Sequence, residues 1–247
     1  MAKRLYSRDG NLCKARKSMG KRTYIGIALD RSGSMQQLLG STVSGFNEHL
    51  ETIQSDALKG GTTKMSLVTF GNNTVTTEFL NLDPKKVRSL HKGAYRPSGN
   101  TPMYDGVGRL IDELAEFDVE EADVGFLVLV ISDGQENASR LWNQPGIANR
   151  INALKNTGRW TFAYVGANQN LFEVTQFFGQ NNVLSWEYTP KGTEYVYDVM
   201  CTSTSAYLGA RAAGETSKSC YFSPTITGDS IVTDATTITN VGVDKQT

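Results

Sequence analysis

Four short, largely apolar runs restrict the fold of this chain more than any other feature: residues 24–29, 65–70, 126–131 and 161–165. Each is too short for an ordinary helix and lacks a regular polar face, so each reads as a strand buried on both sides. Val183–Trp186 is a fifth, weaker candidate. Between the runs, apolar residues recur at helical spacing. Val43, Phe46, Leu50 and Ile53 form one stripe, and Val107, Leu110, Ile111, Leu114 and Phe117 a second. Ile147, Ile151 and Leu154 make a third, Leu171, Val174, Phe177 and Phe178 a fourth. Tyr195, Val196, Val199, Met200 and Tyr207 mark a last long helix. Such an alternation predicts an α/β fold, a doubly wound, mostly parallel sheet with helices on both faces. One connection breaks the rule. Runs 65–70 and 74–79 are separated only by Gly71-Asn72-Asn73, which forces an antiparallel hairpin and so one antiparallel edge strand.

Charge divides the chain where the apolar pattern stops. Acidic and basic residues balance at 25 each, which gives no global case for nucleic acid or membrane. Residues 1–22 carry eight Lys and Arg against Asp9 alone, a net of +7, whereas residues 214–247 net −2. The expected organisation is a basic N-terminal arm (1–22), a folded body (23–213) and a Ser/Thr-rich tail (214–247). The tail segments Thr225-Ile226-Thr227, Ile231-Val232-Thr233 and Thr236-Thr237-Ile238-Thr239 suit short β segments and an extended arm equally well. The arm has one aromatic residue, Tyr6, so base stacking is poorly supported and a solvated or assembly-contacting role is preferred. Cys13, Cys201 and Cys220 are too few and too scattered for a disulfide framework. No apolar run reaches the roughly 18 residues of a membrane span, and the basic N-terminus lacks the apolar core of a signal peptide. A cytoplasmic protein is expected, or a virion-associated one if a phage encodes it.

The chemistry-bearing residues gather after the strands. In an open α/β sheet, ligands collect at the carboxyl ends of parallel strands. Asp30-Arg31-Ser32-Gly33-Ser34-Met35 follows the first run, and Ser132-Asp133-Gly134 follows the third. If those strands are parallel neighbours, Asp30 and Asp133 meet on one edge although 103 positions separate them. Thr101, in Gly99-Asn100-Thr101-Pro102, lies in a loop feeding a helix from that side. Asp30, Ser32, Ser34, Thr101 and Asp133 thus offer five hard oxygens, suited to Mg²⁺, Mn²⁺ or Ca²⁺ rather than to softer metals. Taken singly, each segment has an ordinary explanation. Residues 30–34 suit a polar strand-to-helix turn, Thr101-Pro102 a helix N-cap, and Asp133-Gly134 a plain turn. Their joint occurrence in order is what argues for a metal site. Asp105, Gln135, Glu136, Asn137, Asn168 and Gln169 are expected on the same rim, solvated or shaping partner specificity. Arg31 is expected to be exposed beside the metal, placed to attract an acidic partner.

D-x-S-G-S-M resembles the opening motif of von Willebrand factor A (VWA) domains, and the loop Thr and later Asp follow in the family's order. The resemblance covers roughly residues 23–213 and implies a Rossmann-like sheet with a metal-ion-dependent adhesion site. It further implies that Ser32 and Ser34 bind the cation directly, and Thr101 directly or through water. Asp30 and Asp133 would often act through water. A carboxylate from a partner protein would complete the coordination. The phrases Ser132-Asp133-Gly134-Gln135-Glu136-Asn137 and Tyr164-Val165-Gly166-Ala167-Asn168 resemble stand-alone bacterial and phage-type VWA proteins, including those of tellurium-resistance and stress operons.

Catalytic equipment is missing by contrast. There is no G-x-x-x-x-G-K-[ST] phosphate loop. His49 and His91 fall away from the strand mouths, where a nucleophile would need its base, and both are expected at the surface or partly packed. Ser32 stands where an aspartyl phosphotransferase would need a second aspartate. The expectation is therefore not an enzyme but an intracellular scaffold or adaptor, binding an Asp or Glu of a protein partner through Mg²⁺, Mn²⁺ or Ca²⁺. The alternative is a structural subunit of a large assembly such as a phage particle, docked by its two arms. A metal-dependent phosphohydrolase is a weaker third reading.

Overall fold

The computed structural model describes residues 20–59, 61–119, 123–167 and 171–222. The arm through residue 19, the tail beyond 222, and Asn168 and Gln169 lie outside the described residues.

The apolar runs become strands of one six-stranded sheet. In chain order the elements are β1 (Arg22–Asp30), α1 (Leu39–Asp56), β2 (Thr62–Gly71), β3 (Thr74–Leu82), α2 (Met103–Ala115) and β4 (Val124–Ser132). Then follow α3 (Gln144–Lys155), β5 (Trp160–Ala167), α4 (Leu171–Phe178), β6 (Val183–Trp186) and α5 (Pro190–Ala213). The strand order is β3-β2-β1-β4-β5-β6, parallel throughout except for β3. The β2–β3 hairpin turns through Asn72 (φ 51°) and Asn73 (φ 56°). Both are left-handed, the type I′ geometry that matches strand twist and that asparagine tolerates.

Alternation along the strands feeds two cores. Ile25, Ile27 and Leu29 of β1 pack under α1 and α5, with Phe46, Leu50, Val196 and Met200. Tyr24 and Ala28 face the opposite layer, with Leu110 and Ile111 of α2, Ile151 of α3 and Phe178 of α4. All nine residues of β4 are buried, which is why its sequence shows no alternation. Each fully buried aliphatic side chain contributes about 2 kcal/mol from apolar area removed from water. Phe117 falls beyond the end of α2, yet it stacks on Tyr24 at 5.2 Å between ring centroids. Tyr24, Phe126 and Trp160 continue that aromatic row across three strands.

His49 corrects one expectation. It shares the inward face of α1 with Phe46 and Ile53, three and four positions away, and with the adjacent Leu50, and is fully buried. Its Nε2 lies 2.7 Å from Thr204 Oγ1 of α5, whose hydroxyl is in turn 2.7 Å from the Tyr221 hydroxyl. Burial pushes its pKa down to about 4, so it is neutral. His91 is exposed as expected.

At the end where the parallel strands begin, Arg211 of α5 is fully buried. Its guanidinium donates to Thr23 Oγ1 (3.1 Å), the Arg22 carbonyl (2.9 Å), the Glu215 carbonyl (2.6 Å) and Asp123 Oδ1 (2.9 Å). Lys21 Nζ caps the same helix, donating to the carbonyls of Arg211 (2.5 Å) and Ala212 (3.1 Å). No helix among the described residues is long and apolar enough to cross a membrane.

Candidate metal centre

The chain crosses from β1 to β2 on one side through α1, then returns through α2 to β4 on the other. The crevice at the carboxyl ends of β1 and β4 is therefore a topological switch point. Both strands end there in side-chain oxygens. Asp30 is 0% exposed, and its Oδ1 accepts a hydrogen bond from the Ser32 amide at 2.6 Å. Its Oδ2 accepts from Ser132 Oγ at 2.6 Å. The Ser32 and Ser34 hydroxyls lie 3.1 Å apart, and Ser34 Oγ donates to Asp133 Oδ1 at 2.7 Å. Thr101 closes the ring from the far side of Gly134. A Cβ built on that glycine would lie 3.0 Å from Thr101 Oγ1, 3.5 Å from Ser34 Oγ and 3.6 Å from Asp30 Oδ2. The structure thus brings Asp30, Ser32, Ser34, Thr101 and Asp133 together around one small space. Ser132 joins them as a residue the sequence reading passed over. Only the pairing of Leu29 with Ile131 shows that Ser132 stands opposite Asp30.

The electrostatics of this space are unbalanced. Burial raises the Asp30 pKa to about 6; bonds from Ser132 and Ser32 work against the shift, and the charge of Asp133 adds to it. Burial likewise raises the pKa of Asp133, opposed by the Ser34 bond. Among the described residues neither carboxylate forms an ion pair with Lys, Arg or His. Asp133 Oδ2 is buried, and among the described residues the nearby Tyr188 hydroxyl is the only side-chain group besides Ser34 placed to hydrogen-bond the Asp133 carboxylate. Two crowded carboxylates and three hydroxyls suit a hard divalent cation. No group of three or more His, Cys, Asp or Glu side chains forms a metal cluster among the described residues, so hydroxyls make up most of this donor set.

Thr101 does not serve as an N-cap. Helix α2 begins at Met103 with Pro102 in the cap position and no side-chain cap bond. Glu136 supplies the helix start instead, its Oε2 accepting from the Tyr104 amide at 2.9 Å, a favourable place for a carboxylate. Asn137 brackets Thr101, accepting from its amide (2.9 Å) and donating its own to the Thr101 carbonyl (3.2 Å). Asp105 accepts from the amides of Arg140, Leu141 and Trp142 at 2.8–2.9 Å. Three rim residues assigned to solvent or to a partner thus spend side-chain oxygens on backbone amides, Asn137 while still exposed, tying the Thr101 loop to the loop after β4. Gln135 remains exposed, and Leu141 projects from the tied loop at 87% exposure.

Arg31 is also corrected. It is half-buried, and its guanidinium donates to Thr74 Oγ1 (2.8 Å) and Thr76 Oγ1 (3.3 Å) on β3. The hairpin runs past the end of β1 and gives the guanidinium nearer acceptors than a site ligand. Two tyrosines reach the motif backbone from elsewhere. The Tyr95 hydroxyl donates to the Asp30 carbonyl, and the Tyr188 hydroxyl to the Ser34 carbonyl.

No protein-family model matches the sequence, and no curated protein matches it. Solved structures do. The chain is similar to the pilus adhesin SpaC from Lactobacillus rhamnosus GG, with TM-score 0.57 and 14% identity over 76% of this chain and 30% of that one. It is similar to the vWF domain of the type V pili tip protein Mfa5 from Porphyromonas gingivalis, with TM-score 0.54, 10% identity, and 77% and 97% of the two chains covered. The third is manganese-loaded TRAP from Plasmodium vivax, with TM-score 0.50 and 17% identity over 68% and 69%. At such identities the likeness concerns the fold, which is the VWA type of α/β sheet.

Proposed function

We propose that this VWA-fold chain is a protein-interaction module that takes an Asp or Glu of a partner protein through a divalent cation, and that it binds rather than turns over. The observation that carries this reading is that the Asp30 and Asp133 carboxylates share one buried space with the Ser32, Ser34 and Thr101 hydroxyls and, among the described residues, pair with no cationic side chain. Ser32, Ser34 and Thr101 would hold the ion through neutral hydroxyls, while Asp30 and Asp133 supply the compensating charge. The chemistry supplied by a bound divalent cation there is Lewis acidity toward an incoming carboxylate. Ser132 and the Ser32 amide orient Asp30, and Asn137 and Glu136 hold the Thr101 loop in place. Among the structural neighbours, TRAP carries manganese in its solved form, and SpaC and Mfa5 are a pilus adhesin and a pilus tip protein. The histidine expected of a hydrolytic centre is not near: His49 bonds to Thr204 inside the α1–α5 layer. Cys201 and Cys220 are unpaired among the described residues, which favours a reducing, cytoplasmic setting.

Calorimetric titration of the full chain with MgCl₂ and MnCl₂, beside Ser32→Ala/Ser34→Ala, tests the centre. Affinity capture from host lysate in Mg²⁺ and in EDTA tests the partner. Saturable binding lost in the double variant, with capture lost in EDTA, is the expected result. Capture unchanged by EDTA and by the substitutions would overturn the proposal.

A further inference from the structure

We propose that the segment joining β3 to α2 is a docking ridge for an acidic, extended stretch of a protein partner, leading up the flank of α1 to the metal centre. Five of the fifteen Lys and Arg between residues 23 and 213 fall within twelve positions here: Lys85, Lys86, Arg88, Lys92 and Arg96. No Asp or Glu occurs from residue 84 to 104, although residues 23–213 as a whole net −5. All five cations are exposed, and among the described residues none of them enters an ion pair. Glu51 shares the α1 face of Asn47 and Gln54 but forms no ion pair there either, so the row keeps its excess of charge. Apart from one three-residue turn, Pro84–Lys86, the connection has no helix or strand of its own. Packed connections of that length are uncommon unless they bind something.

Inward side chains fix the course of the ridge and leave its cations facing water. Pro84, Val87, Tyr95 and Pro97 are buried, and Leu90 packs against the core. Gln54 Nε2 donates to the Pro84 carbonyl at 3.0 Å. Asn47 bonds both the amide (2.7 Å) and the carbonyl (2.9 Å) of Leu90. Lys92 Nζ lies 3.7 Å from where a Cβ on Gly40 would stand. Tyr95 then reaches the Asp30 carbonyl, and the Ser98 amide donates to the Arg31 carbonyl at 2.8 Å. The segment thus climbs α1 from residue 54 to residue 40, about 21 Å at 1.5 Å per residue, and ends on the loop that carries Ser32 and Ser34. An extended chain covers that distance in about six residues, with alternate side chains on one side. Acidic residues at that spacing would face the row of cations, and a carboxylate at the upper end would fall at the metal. This last contact rests on the metal-binding reading above, whereas the ridge stands on its own residues. A protein partner fits better than a nucleic acid. Tyr95 is the one Tyr, Phe or Trp of residues 84–100, and it is buried, so no such ring is offered to a base.

The test is fluorescence anisotropy of the full chain with a fluorescein-labelled glutamate octapeptide, beside a glutamine octapeptide and a single-stranded thymidine oligonucleotide. In EDTA and low salt the wild type should bind the glutamate peptide and not the glutamine one. Arg88→Glu/Lys92→Glu, at two exposed positions, should weaken that binding by about tenfold, and added salt should weaken it further. Lys191→Glu, an exposed control on α5, should change it by less than about twofold. Circular dichroism checks the folding of each variant. At constant ionic strength Mg²⁺ should tighten binding to the wild type and leave Ser32→Ala/Ser34→Ala unchanged. Absent binding of the glutamate peptide, or binding indifferent to the ridge substitutions, would overturn the proposal. So would tighter binding of the oligonucleotide that is lost in the same variant, which would give the ridge to nucleic acid. A ridge effect without any gain from Mg²⁺ would uphold the ridge and overturn the metal reading instead.

Discussion

The two ends of the sheet handle buried charge in opposite ways. Where the parallel strands begin, the Arg211 guanidinium meets a hydroxyl, two carbonyls and the Asp123 carboxylate, so its charge is answered within the chain. Where they end, Asp30 and Asp133 crowd each other, and among the described residues neither pairs with a cationic side chain. A satisfied network of the first kind holds α5 onto the sheet and asks for nothing further. An unsatisfied one stores a penalty that a ligand can remove. Structural and binding poles are thus told apart by charge bookkeeping rather than by residue type.

The harshest way to break this contrast is Arg211→Met. It should cost about 3 kcal/mol in chemical denaturation, because buried acceptors lose their donor while the partly exposed Asp123 is left to water, yet leave cation affinity in the folded protein unchanged. Stability equal to wild type would show that this pole is not structural.

A pH series probes the layer between the poles. His49, with a folded pKa of about 4 against its ordinary 6.5, binds fewer protons folded than unfolded. Its contribution is full above pH 6.5 and is lost as pH falls toward 4, a span of about 3 kcal/mol. Asp30, raised to about 6, works the other way in metal-free protein, stability falling as pH rises between roughly 4 and 6. The difference between wild type and His49→Gln isolates the histidine. That difference should shift by about 3 kcal/mol in favour of wild type between pH 4 and 6.5 and be constant outside that window; a flat difference would refute the buried neutral assignment.

Cation addition should act on one pole only. At a free Mg²⁺ concentration of 100 times Kd the melting free energy should rise by about 2.7 kcal/mol, and Ser32→Ala/Ser34→Ala should remove the gain while Arg211→Met retains it.

The smallest effect is the most discriminating. In EDTA, Asp133→Asn should stabilise the protein by about 1 kcal/mol, since one uncompensated carboxylate is gone from a site strained for binding. The same substitution should abolish the Mg²⁺ gain. Destabilisation of the metal-free protein would mean that the Asp133 charge is already satisfied.

Much of the architecture was legible because it is local. Strands buried on both faces must be apolar throughout, and helices packed on one face must repeat at 3.6 residues. The runs at 24–29, 65–70, 126–131 and 161–165, the five helical stripes and the three-residue hairpin connection therefore translate directly into β1, β2, β4, β5, the helices and the antiparallel β3. Even the weak run Val183–Trp186 forms β6. The convergence of Asp30, Ser32, Ser34, Thr101 and Asp133 followed from the same topology, since parallel neighbours deliver their ends to one edge.

What a polar side chain bonds to was decided by register and by loops that meet from distant parts of the chain. Ser132 faces Asp30 only because β1 and β4 pair as they do, and Arg31 turns to β3 only because the hairpin overruns β1. Asp105, Glu136 and Asn137 look like free rim residues until the loop after β4 is laid against the start of α2. Tyr95, Tyr188 and Arg211 carry no motif at all. The sequence by itself determined the layers, the strand mouths and the oxygen donors, because hydrophobic burial is read from periodicity along the chain. Only the tertiary structure decided which charges are neutralised and which hydroxyls orient them, because hydrogen bonds are settled within about 3 Å in space between residues that periodicity cannot relate.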